Sequence, residues 1–396
     1  MKVFVHGLNS CGMRNTRMQA YRDYLEANGH ELVDYPVEAD ILLLWTCAFR
    51  SDMKANSLAE IKRFEREYKA EVIVAGCLPD IDIEALRGRF RGRVVNWRDD
   101  EKKMKQVFGT PKVRLADIPL VLHKDQLYDD EATFRREHPE ADVPYIGRYI
   151  QLYISDGCPF KCTYCSERLA FPPYHSHPEE QLIHTCRAAV EQTGKNAVVL
   201  LGDSIGDYGR DIGTSLPNLI RRLQQAIPDI RIAMQGVNPC HFLKFYDDMV
   251  EFLRSGLIVH LQIPFQSASD RILKLMNRPY DRAALDKVFG TINELGFREF
   301  DTHIIVGFPG ETEDDFQRSL EFALDHHPKY VLLNGFMEAP EMPAARLPAK
   351  VDLETTLRRL LRAEARLKAA GILCNCDYGE FSRERFRRMN QTADTA

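Results

Sequence analysis

Apolar residues in this chain come mostly in short unbroken runs rather than in strict alternation. KVFVHGL (from Lys2), ILLLWTC (from Ile41) and EVIVAGC (from Glu71) are separated by helix-like stretches, and RVVNW (from Arg93) is a candidate fourth run. Strands apolar on both faces suit a parallel sheet covered by helices on each side, so residues 1–110 predict an open α/β domain. Residues 111–144 carry Pro111, Pro119, Pro139 and Pro144 among many charges and read as an irregular connector. The βα alternation resumes over residues 145–345, with strand candidates beginning at Arg148, Asn196, Ile230, Leu257, Asp301 and Lys329. Six such units make an α/β partial barrel, (β/α)6, with its site at the C-terminal ends of the strands. Residues 346–396 hold an amphipathic helix from about Val351, stopped by Gly371, and then a charged, polar tail. No internal repeat or low-complexity segment interrupts this organisation.

The chain has 396 residues and ten cysteines, and no apolar run approaches the ~20 residues of a membrane span. Its first segment, MKVFVHGLNS, reads as a strand rather than a leader. The expectation is a cytoplasmic protein with no membrane association. There thiols stay reduced, and close cysteine spacing means metal binding or catalysis rather than disulfides. A net charge of −5 gives no support to a nucleic-acid binder, which usually shows a basic excess.

Six of the cysteines form two sets of three. Cys158, Cys162 and Cys165 lie within GCPFKCTYC, directly after a strand candidate at the mouth of the expected barrel. Thiolates at this spacing can wrap one face of an iron–sulfur cubane from a single loop, leaving one iron open. Zinc is the alternative, but structural zinc takes four closed ligands, and His175 and His177 are the nearest further donors. Cys11, Cys47 and Cys77 are dispersed, each at or just past the end of an apolar run. In an open α/β sheet those positions converge outside the carboxyl ends of the strands, where ligands collect. Taken alone, such cysteines read more readily as small buried hydrophobes. Cys186 and Cys240 read as packing residues. Cys374 and Cys376 form a CxC whose first reading is surface or packing, with a metal or persulfide relay as the alternative. His175 and His177 read as part of a solvated loop, or else as lining the substrate mouth.

GCPFKCTYC resembles the CxxxCxxC signature of the radical S-adenosylmethionine enzymes. In that family the thiolates bind a 4Fe–4S cluster whose open iron chelates S-adenosylmethionine, and one electron into the sulfonium yields a 5′-deoxyadenosyl radical. NSCGMRN around Cys11, EADILLLWTCAFR around Cys47 and VIVAGC around Cys77 are similar to the N-terminal domain of the methylthiotransferases within it. LLGDSIGDYGRD (Leu200 to Asp211), HLQIPFQSASDRILKLMNRPYDR (His260 to Arg282) and DTHIIVGFPGETEDDF (Asp301 to Phe316) extend the likeness, which covers about residues 1–345. The resemblance implies a second 4Fe–4S cluster on Cys11, Cys47 and Cys77 that presents sulfur. One S-adenosylmethionine would methylate that sulfur, and a second would supply the radical that opens an unactivated C–H bond. It also implies Tyr164 near the adenine and Asp203, after the second barrel strand, at the cofactor's amino group. Gln266 and Ser267 would lie at its polar end, and the turn from Gly307 to Gly310 beside the adenine, unless that turn merely ends a strand. Beyond the cluster ligands no catalytic residue stands out. An external electron donor such as flavodoxin or ferredoxin is implied.

The chain departs from that family in three places. Methylthiotransferases acting on transfer RNA or a ribosomal protein usually end in a small β-barrel, whereas a helix and a polar tail follow here. After the cluster loop they often carry a basic stretch, where this chain has ERLAFPPYHSHPEE. Asp203 stands where an amide is more frequent. RNA affinity rests largely on phosphate contacts from Lys and Arg. The expectation is therefore methylthio insertion into a peptide or small metabolite rather than a nucleic acid. The alternatives are the same chemistry on transfer RNA with a separate recognition partner, sulfur insertion or cyclisation without methyl transfer, and a non-catalytic iron–sulfur protein.

Overall fold

The computed structural model describes residues 1–8, 12–122 and 149–375; Cys11, Cys376 and most of the proline-bearing connector lie outside them. The chain divides into two compact units, Met1–Pro159 with Ser166–Ile230, and Phe160–Cys165 with Arg231–Ala396.

In the first unit β1 (Lys2–Leu8), β2 (Glu31–Leu32), β3 (Ile41–Thr46), β4 (Glu71–Gly76) and β5 (Arg93–Asn96) form a parallel sheet in the order β2-β1-β3-β4-β5. Every residue of β3 and all but the first of β4 are buried, as unbroken apolar runs require. The helix Ser51–Glu67 turns Ser57, Leu58, Ile61 and Phe64 inward at helical spacing. Trp45 meets the edge of Tyr21 at 5.4 Å, and Trp97 that of Phe171 at 5.8 Å. Each such pair contributes about 0.5–1.5 kcal/mol beyond its buried area.

The same unit continues with β6 (Val121–Leu122), β7 (Ile150–Asp156), β8 (His175–Ser176) and β9 (Ala197–Gly202). β7 runs parallel to β9 and antiparallel to β6 and β8. The connector is thus less irregular than its composition suggests. Leu120 accepts the Tyr153 amide at 3.0 Å and Leu122 is buried, so an alternating apolar pair recruits an edge strand despite the nearby prolines.

In the second unit β10 (Arg231–Met234), β11 (Ile258–Gln262), β12 (Phe300–Val306), β13 (Tyr330–Gly335) and β14 (Leu373–Asn375) each lie parallel to the next. Phe265, Phe289, Phe300 and Phe322 meet edge to face at 4.9–5.8 Å in its core. Asp281 caps the helix Arg282–Glu294, and Thr312 with Asp315 forms a capping box on Glu313–His326. All six anticipated barrel strands are present as β7, β9 and β10 to β13. β14 was not anticipated. It follows the helix Leu353–Ala369 where the sequence reads as the start of a tail, and its three residues are too few to show a period. It buries Cys374, which is therefore a packing residue. Among the described residues no helix is long and apolar enough to cross a membrane.

Candidate functional site

Parallel register aligns Leu8 of β1 with Thr46 of β3, and Thr46 with Gly76 of β4, so three strands finish at one level. Cys47 and Cys77 follow that line directly, and the Cys77 amide donates to the Thr46 carbonyl at 2.9 Å. Two of the three dispersed cysteines are therefore neighbours at one sheet edge, while Cys11 lies outside the described residues. Both thiols are buried. Ser57 fixes the Cys47 backbone, taking its N–H at 3.2 Å and donating to its carbonyl at 2.8 Å. Gly76 has φ +92°, and a Cβ there would stand 2.5 Å from the Thr46 carbonyl oxygen, so only glycine lets β4 turn toward Cys77 beside β3.

Cys158 follows β7 across Gly157 in the first unit; Cys162 and Cys165 belong to the second. There, four consecutive residues at the end of the helix Asp270–Leu275 hold the loop around Cys162. The Thr163 amide donates to the Met276 carbonyl at 3.1 Å and its hydroxyl to the Leu275 carbonyl at 2.8 Å. Asn277, at φ +57°, donates its side-chain amide to the Lys161 carbonyl at 2.9 Å. Arg278 Nη1 donates to Cys162 Sγ at 3.3 Å and to the Tyr164 hydroxyl at 3.2 Å, while Nε reaches the Tyr280 hydroxyl at 2.8 Å. Sequence reasoning missed Arg278 and Asn277. They stood inside the quoted NRPY stretch, but an Asn-Arg pair after a helix looks like any exposed turn.

Asp203 is fully enclosed. Its carboxylate takes Arg14 Nη2 at 2.8 Å, the Tyr153 hydroxyl at 2.8 Å and the Gly157 amide at 2.8 Å. Burial raises its pKa, against the pull of Arg14. Arg14 also donates to the Tyr153 hydroxyl at 2.7 Å and lies 4.0 Å above the Trp97 ring. A second pair joins Arg17 to Asp156 at 2.6 Å, with His177 Nε2 3.1 Å from the same carboxylate. Burial opposes ionisation of Asp156, but Arg17 and His177 outweigh it and hold the group well below the usual carboxylate range. His177 thus lies against a buried carboxylate rather than in a solvated loop, whereas His175 remains 58% exposed. In the helix Glu179–Thr193 burial pushes the Cys186 thiol up to about 12, which makes it inert.

Tyr164 packs with Ile272, Met276, Ile305 and Phe308, its ring 6.4 Å from that of Phe308. Gln266 combines φ +65°, 9% exposure and a side-chain oxygen without a hydrogen-bond partner. Strain and an unpartnered buried acceptor thus meet at one residue. Ser267 differs: its hydroxyl lies 3.2 Å from that of Ser319 and accepts the Ser269 amide, so it faces the helix Glu313–His326. The Gly307 amide donates to Glu311 at 2.8 Å, and Glu311 is paired with Arg359 of the helix Leu353–Ala369 at 2.9 Å. The Gly310 amide donates to the Ala349 carbonyl at 2.8 Å. Among the described residues no three His, Cys, Asp or Glu side chains close around a single metal ion. Soft thiolates near strand ends are a donor set for iron–sulfur clusters, whose ligands bind separate irons.

Comparison with known proteins gives concordant findings. The radical SAM superfamily matches residues 152–323, and the uncharacterized protein family UPF0004 matches residues 2–95. Ribosomal protein uS12 methylthiotransferase RimO of Fervidobacterium nodosum is 30% identical over 381 residues, 91% of this chain and 81% of the relative. The probable threonylcarbamoyladenosine tRNA methylthiotransferase of Pyrococcus horikoshii is 27% identical, covering 87% of this chain and 79% of its own. The human threonylcarbamoyladenosine tRNA methylthiotransferase is 28% identical, and the chain spans 60% of its length. Among solved structures, the radical S-adenosylmethionine methyltransferase TsrM of Kitasatospora setae shares the fold, with a TM-score of 0.60 at 13% identity over 87% of this chain and 77% of that one.

Proposed function

Because the chain belongs to the radical S-adenosylmethionine methylthiotransferase family, we propose that it replaces an unactivated C–H of a macromolecular substrate with C–SCH₃, and that this substrate is transfer RNA. The family's enzymes transfer sulfur and methyl groups and use two 4Fe–4S clusters with S-adenosylmethionine. The observation that carries the reading is the common level at which β1, β3 and β4 end, which sets Cys47 beside Cys77 at the ligand-binding edge of the N-terminal sheet.

When bound, the clusters and S-adenosylmethionine supply the electron, the radical, the sulfur and the methyl group. The chain's own residues hold and orient them. Cys11, Cys47 and Cys77 are the thiolates for one cluster, and Cys158, Cys162 and Cys165 those for the other. Thr163 and Asn277 fix the loop that carries Cys162. Tyr164, with Phe308 behind it, offers an apolar wall for the adenine, and the turn from Gly307 to Gly310 lies in the same unit. Gln266 offers its unpartnered oxygen to a ligand donor, the cofactor's amino group being the first candidate. Asp203 holds Arg14 instead of the cofactor, and Ser267 supports the helix behind Gln266.

Net charge and the helix with its polar sequence after residue 345 point to a peptide or small metabolite. The relatives' names weigh against a small metabolite, since they specify transfer RNA or a ribosomal protein. A protein substrate is the second reading. It is favoured by the cations near Cys47, where Arg50 is paired with Asp52 at 2.8 Å and Lys54 with Asp82 at 2.7 Å. Such pairing leaves less charge for phosphate. The test is anaerobic incubation of the reconstituted protein with S-adenosylmethionine, a one-electron reductant and transfer RNA lacking methylthio groups, followed by mass analysis of the nucleosides. Replacement of H by SCH₃ supports the reading. The same mass change confined to added ribosomal protein selects the second. Sulfur alone, or loss of hydrogen, overturns methylthio transfer.

A further inference from the structure

We propose that Arg278 sets the reduction potential of the cluster held by Cys158, Cys162 and Cys165, by placing a cation and an N–H donor on the Cys162 sulfur. The proposal rests on the compact cysteine set binding that cluster. Arg278 Nη1 stands 3.3 Å from Cys162 Sγ, and no carboxylate forms an ion pair with Arg278 among the described residues. Among the described residues its other hydrogen-bond partners are neutral hydroxyls, Tyr164 at 3.2 Å and Tyr280 at 2.8 Å. The Tyr280 ring lies 4.9 Å below the guanidinium carbon, and the Tyr280 hydroxyl is itself anchored to the Phe265 carbonyl at 3.1 Å. The Cys162 sulfur is therefore the group beside this cation that gains negative charge on ligating a cluster, and the guanidinium is placed to meet it with a charge-assisted hydrogen bond.

The geometry also limits the conformations open to this cation. Arg278 follows directly on Asn277, Met276 and Leu275, each of which holds the loop 161–163 through a separate hydrogen bond. The backbone amide of Arg278 is bound to the Leu273 carbonyl at 2.9 Å. The donor and the sulfur are thus fixed from both sides, rather than meeting through two free side chains.

Hydrogen bonds to cluster sulfurs and nearby charge are established levers on iron–sulfur potentials. Reduction adds one electron from an external one-electron reductant, breaks no bond and transfers no proton here, because arginine is protonated throughout. The oxidised and reduced forms differ by one negative charge, and a fixed cation favours the more negative form. Arg278 therefore raises the potential and eases delivery of the first electron. Being always charged, it does so equally across the physiological pH range.

The experiment uses the full chain carrying Cys47→Ala and Cys77→Ala, so that only the compact set binds a cluster. Potentials are read by spin resonance during reductive titration with dithionite and mediators. Arg278→Met and Arg278→Gln both remove the charge, the second leaving a shorter polar side chain, and Arg278→Lys keeps the charge. The expected result is a more negative potential in the Met and Gln variants, with the Lys variant close to the parent and the difference unchanged with pH. Parent-like potentials in the Met variant at full iron content overturn the inference. So does a Lys variant shifted as far as the Met one, since charge would then not be the cause. Should the Met variant fail to hold iron, the Gln and Lys pair decides alone: equal potentials overturn the proposal. A parent that binds no iron on the compact set overturns the underlying cluster assignment and the inference with it.

Discussion

Arg14 and Asp203 form a buried ion pair, Nη2 to Oδ1 at 2.8 Å, with 2% and 0% of their side chains exposed. Arg14 lies three residues beyond Cys11, and Asp203 binds the amide of Gly157, the residue before Cys158. The pair therefore ties the segment following the first cysteine of one set to the segment leading into the other. Arg17 and Asp156 repeat the connection one turn further along the helix Gly12–Ala27 that also carries Arg14. Breaking a buried pair by removing one partner strands the other charge and costs about 3–5 kcal/mol. Arg14→Met and Asp203→Leu are each expected to lose that much in denaturant unfolding of the apoprotein. The double variant should recover a substantial part of it. Additive losses would show that the pair is not coupled.

Much of this fold is visible in the sequence because parallel strands buried on both faces leave unbroken apolar runs. The positions of Cys47 and Cys77 follow from strand ends for the same reason. What stayed hidden lies in pairings between distant segments. Nothing in NSCGMRN shows that Arg14 belongs to Asp203, nearly half the chain away, so Asp203 looked available for a cofactor. Arg278 was hidden by its place in a polar turn, since a cation that meets a sulfur from another loop has no sequence period. β14 was too short to register.

The two cysteine sets are expected to separate by function. Replacing Cys158, Cys162 and Cys165 with Ala should abolish formation of 5′-deoxyadenosine. Replacing Cys11, Cys47 and Cys77 should leave that cleavage intact and end sulfur transfer. On the proposed assignment of one cluster to each set, each triple variant should hold about half the iron of the parent. Undiminished sulfur transfer after loss of the dispersed set would refute the division of labour.

Gly76→Ala tests the strand-end geometry beside Cys77. The substitution imposes a left-handed backbone on alanine and drives its Cβ to 2.5 Å from the Thr46 carbonyl. The strain alone costs about 1–3 kcal/mol, and the backbone clash adds to it. Gly29→Ala is the control, with φ +79° and nothing within 4 Å of the added Cβ. It should cost only the strain. Iron at the dispersed set should fall in the first variant and not in the second. Equal losses of stability in both would mean that the close approach of β4 to Thr46 is not what demands glycine.

His303 on β12 gives a pH dependence of known sign. Burial lowers its pKa from 6.5 to about 4, with no opposing charge. The unfolded chain therefore takes up a proton near pH 6.5 while the folded chain resists until about pH 4. Across that window the unfolded state binds more protons, so the contribution of His303 is fully present above about pH 6.5 and is lost as pH falls toward about 4. His303→Gln carries no titrating ring. Its melting temperature should decline less steeply than that of the parent between neutral pH and about pH 4.5, even if the variant starts from a lower value because the amide packs less well. Scanning calorimetry of both apoproteins in the same buffers measures the two slopes. Parallel slopes would mean that His303 titrates alike in the folded and unfolded chains, and that its position on β12 carries no electrostatic cost.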